Sequence, residues 1–267
     1  MNQPAQRQHA SERTRSRGST QSQSGVRPAF KLDQKLSPDE INRLEMAAYQ
    51  GPISVVASRA HMLAAVTELS RETLLGFDIE TRPSFKKGEF YPPALIQLAG
   101  AKVVFIFQLG LIGLPAELVG LLANPKIIKA GVAIDRDLKE LRSLTEFQPA
   151  GFVDLGTCAS RHGMKHHGLR GLAAVLLGCR ISKGAQLTRW DLPNLPERAL
   201  IYAATDAWIG RRIYEALKER GCLGPVIHRT PPPPAHPPAR HIRLWHIAKE
   251  SVRRVLRRDH RREDHRP

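Results

Sequence analysis

Two carboxylates set in an apolar strand are the first residues of the chain whose type and spacing imply chemistry. In Leu74-Leu75-Gly76-Phe77-Asp78-Ile79-Glu80-Thr81, Asp78 and Glu80 interrupt an apolar run near its end, where a buried strand should carry no charge. Side chains alternate along a strand, so Asp78 and Glu80 face one way while Ile79 packs the other way. Like charges so placed repel and partly protonate unless a counter-charge joins them. A hard divalent cation with oxygen ligands, Mg²⁺ or Mn²⁺, would supply it. The bland alternative is an acidic strand end running out into solvent, and only partners elsewhere in the chain can decide between the two.

Two such partners stand downstream. Leu200-Ile201-Tyr202-Ala203-Ala204-Thr205-Asp206-Ala207-Trp208 is Ala-rich and helix-favouring, which sets Tyr202 and Asp206 one turn apart on one helix face. Between the two stretches, residues 129–141 read as a strand passing into a helix with acids, Asp135 and Asp137, at its start. At these residues the chain resembles the 3′–5′ exonucleases with four acidic residues and a tyrosine. That family includes ribonuclease D and the exonuclease domain of the Werner helicase. The F-D-I-E-T around Asp78, the D-L-x-x-L from Asp137 and the Y-A-A-T-D-A from Tyr202 occur in the family's order, and the resemblance covers roughly residues 53–220. Three ordered motifs are far more specific than any one of them.

The resemblance implies a role for each position. Phosphodiester hydrolysis needs an activated water on one side of phosphorus and stabilisation of the leaving 3′ oxygen on the other, which two cations about 3.5–4 Å apart provide. By analogy with the family, Asp78 bridges both ions, Glu80 and Asp206 complete the ion that activates the water, and Asp137 helps to hold the second. Tyr202 would orient the attacking water, since a phenol with an ordinary pKa of about 10 is a poor base at neutral pH. Asp135 and Asp137 diverge by about 200° on a helix, so one of them faces the site. Asp137 is chosen because Leu138 and Leu141 follow it in the family's pattern, and Asp135 is then expected to cap the helix. The implied activity is release of nucleoside 5′-monophosphates from DNA or RNA 3′ ends. The other reading is a non-catalytic nucleic-acid-binding module on the same fold, and four mutually repelling acids argue against it.

The elements that must position these residues can be read in order. Ser37-Pro38-Asp39-Glu40 has the form of a capping box opening a helix that is expected to end near Tyr49. A short strand at 53–57 and a helix at 59–69 precede the strand of Asp78. Pro83, Lys86, Lys87, Gly88, Pro92 and Pro93 then make residues 82–93 a basic loop directly after the site strand. Strands at 94–99 and 102–107 read as a hairpin completing a meander, followed by a helix from Pro115, a strand at 127–131 and a helix at 135–144. This order predicts an α/β fold, a ribonuclease H-like mixed five-stranded sheet flanked by helices.

Three further features carry alternatives. Asp154 at a strand-to-helix passage reads as a cap rather than a ligand. His162, His166 and His167 read as a solvated loop rather than a zinc site, because Gly163 weakens the helix that would align them. Trp190, in a segment similar to the family's Q-L-x-x-W (Gln186, Leu187), reads as a packing anchor.

Composition bounds the rest. Three cysteines, odd in number and without a C-x-x-C pattern, suggest reduced thiols and a cytoplasmic protein. No apolar run reaches membrane-spanning length and no apolar signal core stands near residue 1, so no stable membrane association is expected. The net charge of +16 is uneven: residues 1–35 hold seven Lys/Arg against two acids and residues 228–267 eleven against four. Such basic ends favour nucleic acid as partner, while protein partners stay unspecified. The expected organisation is a disordered basic tail at 1–35, an exonuclease domain at 36–227, a proline-rich linker at 228–240 and a basic segment of helical pattern at 241–267.

Overall fold

A computed structural model describes residues 30–223 except Lys87, Gln186 and Leu187. The basic tails, the proline-rich linker and the Gln-Leu pair before Trp190 therefore lie outside the described residues, wholly or in large part. The elements run α1 (Pro38–Arg43), β1 (Glu45–Met46), β2 (Ile53–Val56), α2 (Arg59–Leu69), β3 (Leu74–Thr81), β4 (Pro93–Ala99), β5 (Val104–Gln108), α3 (Leu109–Ile112), α4 (Ala116–Leu122), β6 (Ile128–Gly131), α5 (Ile134–Leu144), β7 (Phe152–Asp154), α6 (Leu155–Arg161), α7 (Leu169–Leu177), β8 (Cys179–Arg180) and α8 (Glu197–Glu219).

The main sheet has the order β2-β5-β4-β3-β6-β7, with β3-β4-β5 antiparallel and the other pairs parallel. It has six strands, not five. The extra one is β7, only three residues long and paired with β6 through Phe152, Val153 and Asp154. So short a strand has no periodicity of its own and is made by its neighbour. The mixed sheet and its meander are as expected, and β3 lies inside it, between β4 and β6.

Strand alternation divides the core. Leu75, Phe77, Ile96, Leu98, Phe105 and Phe107 pack with Met62, Leu69, Leu118 and Leu138 of α2, α4 and α5 on one face. Leu95, Ala99, Val104 and Ile106 meet Ala203, Ala204 and Ala207 of α8 on the other. Asp78 and Glu80, opposite Gln97 and Leu95 in register, belong to the α8 face. α8 presses unusually close there, because a Cβ at Gly76 would overlap the Ala207 carbonyl oxygen. Glycine in the strand and alanine on the helix thus set the distance between the first and third motifs.

Two local readings need correction. The capping box is present, with Glu40 N donating to Ser37 Oγ at 3.2 Å and Ser37 N donating to Glu40 Oε2 at 2.7 Å. Yet α1 stops at Arg43 rather than near Tyr49, because Glu45 and Met46 leave it to pair in parallel with Cys179 and Arg180. Tertiary pairing overrides helix propensity here. The cap of α5 is Ala133, in the left-handed region at φ 59°, and not Asp135, which lies inside the helix. Among the described residues no helix is long and apolar enough to cross a membrane.

Candidate active site

Strand β3 delivers Asp78 and Glu80 to one face, and α8 lays Asp206 over them. One carboxylate oxygen from each of the three lies within 4.8 Å of the others. Burial raises all three: Asp78 to about 7, Glu80 to about 9 with the charges of Asp78, Asp206 and Asp137 adding to it, and Asp206 well above the usual carboxylate range with the Asp78 charge adding to it. The Tyr202 hydroxyl, one turn earlier on α8, donates to the Asp206 carboxylate. Burial and the facing carboxylates raise its pKa too, so the phenol stays protonated. The Tyr202 ring lies 6.1 Å, centroid to centroid, from Trp190, which is buried among the alanines of α8.

Asp137 stands beside this trio rather than within it. Burial pushes it up to about 8, the Asp78 charge contributes, and Glu80 in turn feels Asp137. Asp135 is exposed. The turn that delivers Asp137 is built around Asp154: one carboxylate oxygen accepts from Thr157 N at 2.7 Å, capping α6, and the other accepts from Ile134 N at 3.0 Å. Asp154 is thus a cap, as its sequence setting indicates, and also a tie between two helix starts. The left-handed Ala133 immediately before costs about 1–2 kcal/mol, and this tie helps to hold it.

These residues fit hard divalent cations. The donor set is all carboxylate oxygen, as such ions require. Among the described residues no lysine or arginine forms an ion pair with Asp78, Glu80, Asp137 or Asp206. Among the described residues these acids therefore have no paired counter-charge, and a divalent cation would supply one. A cleft of about 440 Å³ opens beside Tyr202 and Asp206, with Met46, Gly184, Thr188 and Arg198 on its walls.

The loop after β3 is folded back on itself, the Arg82 guanidinium sitting 4.3 Å from the Tyr91 ring centroid and pairing with Asp191 at 3.2 Å. Phe85 and Phe90 on this loop are 76% and 64% exposed. The histidine segment is better ordered than a solvated loop. His166 Nε2 accepts from Leu36 N at 2.9 Å, while ring nitrogens of His162 and His167 lie 2.9 Å from the Cys158 and Met164 carbonyl oxygens. Among the described residues those histidines form no convergent zinc set, and none of the three cysteines is in a disulfide.

Sequence reasoning missed Gln97, which lies across the ladder from Asp78, fully buried. The signal was available, since a lone amide in the apolar run Pro93–Ala99 is the same conflict that marks Asp78.

Comparison with known proteins shows the family. The 3′–5′ exonuclease family model matches residues 53–221, and the chain belongs to that family. A 3′–5′ exonuclease of Arabidopsis thaliana is 30% identical over 184 residues, covering 64% of this chain and 63% of that protein. Ribonuclease D of Gluconacetobacter diazotrophicus is 29% identical over 182 residues, covering 67% of this chain and 45% of the relative. The chain therefore spans less than two thirds of the length of these relatives. The fold is that of Trypanosoma brucei ribonuclease D, solved in complex with RNA U12, at TM-score 0.58 and 20% identity over 76% of this chain and 71% of that one.

Proposed function

We propose that this chain is a metal-dependent 3′–5′ exonuclease that hydrolyses the terminal phosphodiester bond of a nucleic acid and releases nucleoside 5′-monophosphates. The observation that carries this reading is the convergence of Asp78, Glu80 and Asp206, with Asp137 and Tyr202 alongside and, among the described residues, no lysine or arginine in an ion pair with the acids. Asp78, Glu80, Asp206 and Asp137 would hold two divalent ions, Mg²⁺ or Mn²⁺. When bound, such ions supply Lewis-acid activation of water and neutralise charge on the leaving 3′ oxygen.

The chain's own part is placement. In the reaction a water oxygen bonds to phosphorus as the bond to the 3′ oxygen breaks, the water loses a proton and the 3′ oxygen gains one. Tyr202 stays protonated and is not the base: with its single O–H directed at Asp206, its oxygen accepts a hydrogen bond from the water and so orients it. Asp206 holds the phenol in place through its hydrogen bond. The exposed ring of Phe85, on the loop that leaves β3, offers a stacking face to an unpaired strand. The basic segments at 1–35 and 241–267 would add affinity through counterion release.

The test is degradation of labelled DNA and RNA strands, paired and unpaired, by the pure full chain. Shortening that requires Mg²⁺ or Mn²⁺ and stops with chelator supports the proposal. Binding of the same strands without shortening in either metal would leave a binding module.

A further inference from the structure

Gln97 sits on β4 directly opposite Asp78 on β3. Opposed residues of an antiparallel pair project to the same face with Cβ atoms about 4.5–5.5 Å apart. The Gln97 amide therefore enters the layer between the sheet and α8 that also holds the carboxylates. Its neighbours along and across the sheet, Leu95, Ala99 and Ile106, are apolar. Gln97 is wholly buried, and neither its Nε2 nor its Oε1 has a hydrogen-bond partner among the described residues.

A desolvated amide without partners is destabilising, whereas leucine or methionine would fill the same space without that cost. Folding alone gives no reason for an amide here.

We propose that Gln97 is a positioning residue for Asp78: its Nε2–H donates to the Asp78 carboxylate when cations occupy the cluster. This rests on the reading of the cluster as a cation site. A carboxylate shared between two ions must have its plane fixed, and hydrogen-bonded supports of ligating carboxylates serve that purpose. A neutral amide does so without adding charge, whereas a lysine or arginine would compete with the cations. The last torsion of a glutamine is broad and soft, so the amide can turn at little cost.

The test uses the full chain with Gln97→Leu and the more adaptable Gln97→Met. Thermal unfolding is followed in chelator and across an Mn²⁺ titration, and oligonucleotide turnover is measured separately. In chelator both variants keep or raise the unfolding midpoint, because a buried orphan amide is gone. The Mn²⁺ concentration giving half of the full thermal shift rises about 10- to 100-fold, and kcat falls while KM for the oligonucleotide holds. An Mn²⁺ response equal to wild type in whichever variant folds overturns the role of Gln97. Absence of any Mn²⁺-dependent shift in the wild type instead overturns the cation site itself, so the two failures are distinguishable.

Discussion

Replacing Glu80 by glutamine should stabilise the metal-free protein while removing its function. Glu80 is held at about 9 against an ordinary 4.5, first by burial and then by the charges of Asp78, Asp206 and Asp137. A carboxyl raised on folding contributes stability that is fully present below its unfolded pKa and is lost as pH rises through the folded one. For Glu80 that loss runs from about pH 4.5 to about pH 9. At about pH 7.5 the folded side chain must take up a proton that the unfolded one releases, a cost of about 4 kcal/mol at the upper limit. Residual solvent access and relaxation of the cluster reduce this to about 2 kcal/mol. Glutamine has the shape of the protonated acid and no such cost, so Glu80→Gln should raise the unfolding midpoint by about 4–8 °C in chelator near neutral pH. The difference should shrink towards pH 4.5, where wild-type Glu80 is protonated in both states. Added Mn²⁺ should raise the wild-type midpoint more at high pH than at low, and the variant's much less. Differential scanning calorimetry across pH, with and without metal, measures all of this. An equal or lower midpoint for Glu80→Gln in chelator, at every pH, would refute the reasoning that these acids strain the empty cluster.

Three further outcomes follow from the geometry. Asp78→Asn should lower hydrolysis by several orders of magnitude with the fold intact by circular dichroism, because an amide brings no charge to the shared ligand position; wild-type turnover by a folded variant would remove Asp78 from the site. Tyr202→Phe should keep the Mn²⁺-induced thermal shift but lose about 10- to 1000-fold in rate, since only an orienting hydrogen bond goes, and an unchanged rate would reduce Tyr202 to packing. Gly76→Ala should cost about 3 kcal/mol in urea unfolding, because the new methyl group overlaps the Ala207 carbonyl oxygen and pushes α8 away from β3; a neutral effect would show that α8 has room to move.

How much the sequence disclosed depended on whether the cause was local. Asp78 and Glu80 were visible because charge in an apolar strand is a local contradiction, and Tyr202 with Asp206 because helical spacing is local. The Ser37 capping box and the Asp154 cap were legible for the same reason. The β1–β8 pair was not, since two residues become a strand only when a neighbour supplies the ladder, and β7 showed only as the strand-to-helix passage at Asp154, not as a sixth strand of the sheet. The end of α1 was lost to that same pairing. Ala133 gave no sign of its left-handed backbone, which the Asp154 bond to Ile134 across the fold helps to hold. Gln97 was legible as an anomaly, but its meaning required the register that sets it against Asp78.

The account stands on one claim, that the carboxylate cluster holds divalent cations. An Mn²⁺ titration of the pure chain, followed by electron paramagnetic resonance of the free ion, tests it without reference to any substrate. The account predicts about two Mn²⁺ bound per chain at saturation, rising in affinity with pH as Glu80 and Asp137 ionise, and a clear loss of bound Mn²⁺ in Asp78→Asn. No bound Mn²⁺ in the wild type, or the same number and affinity in Asp78→Asn, would contradict it.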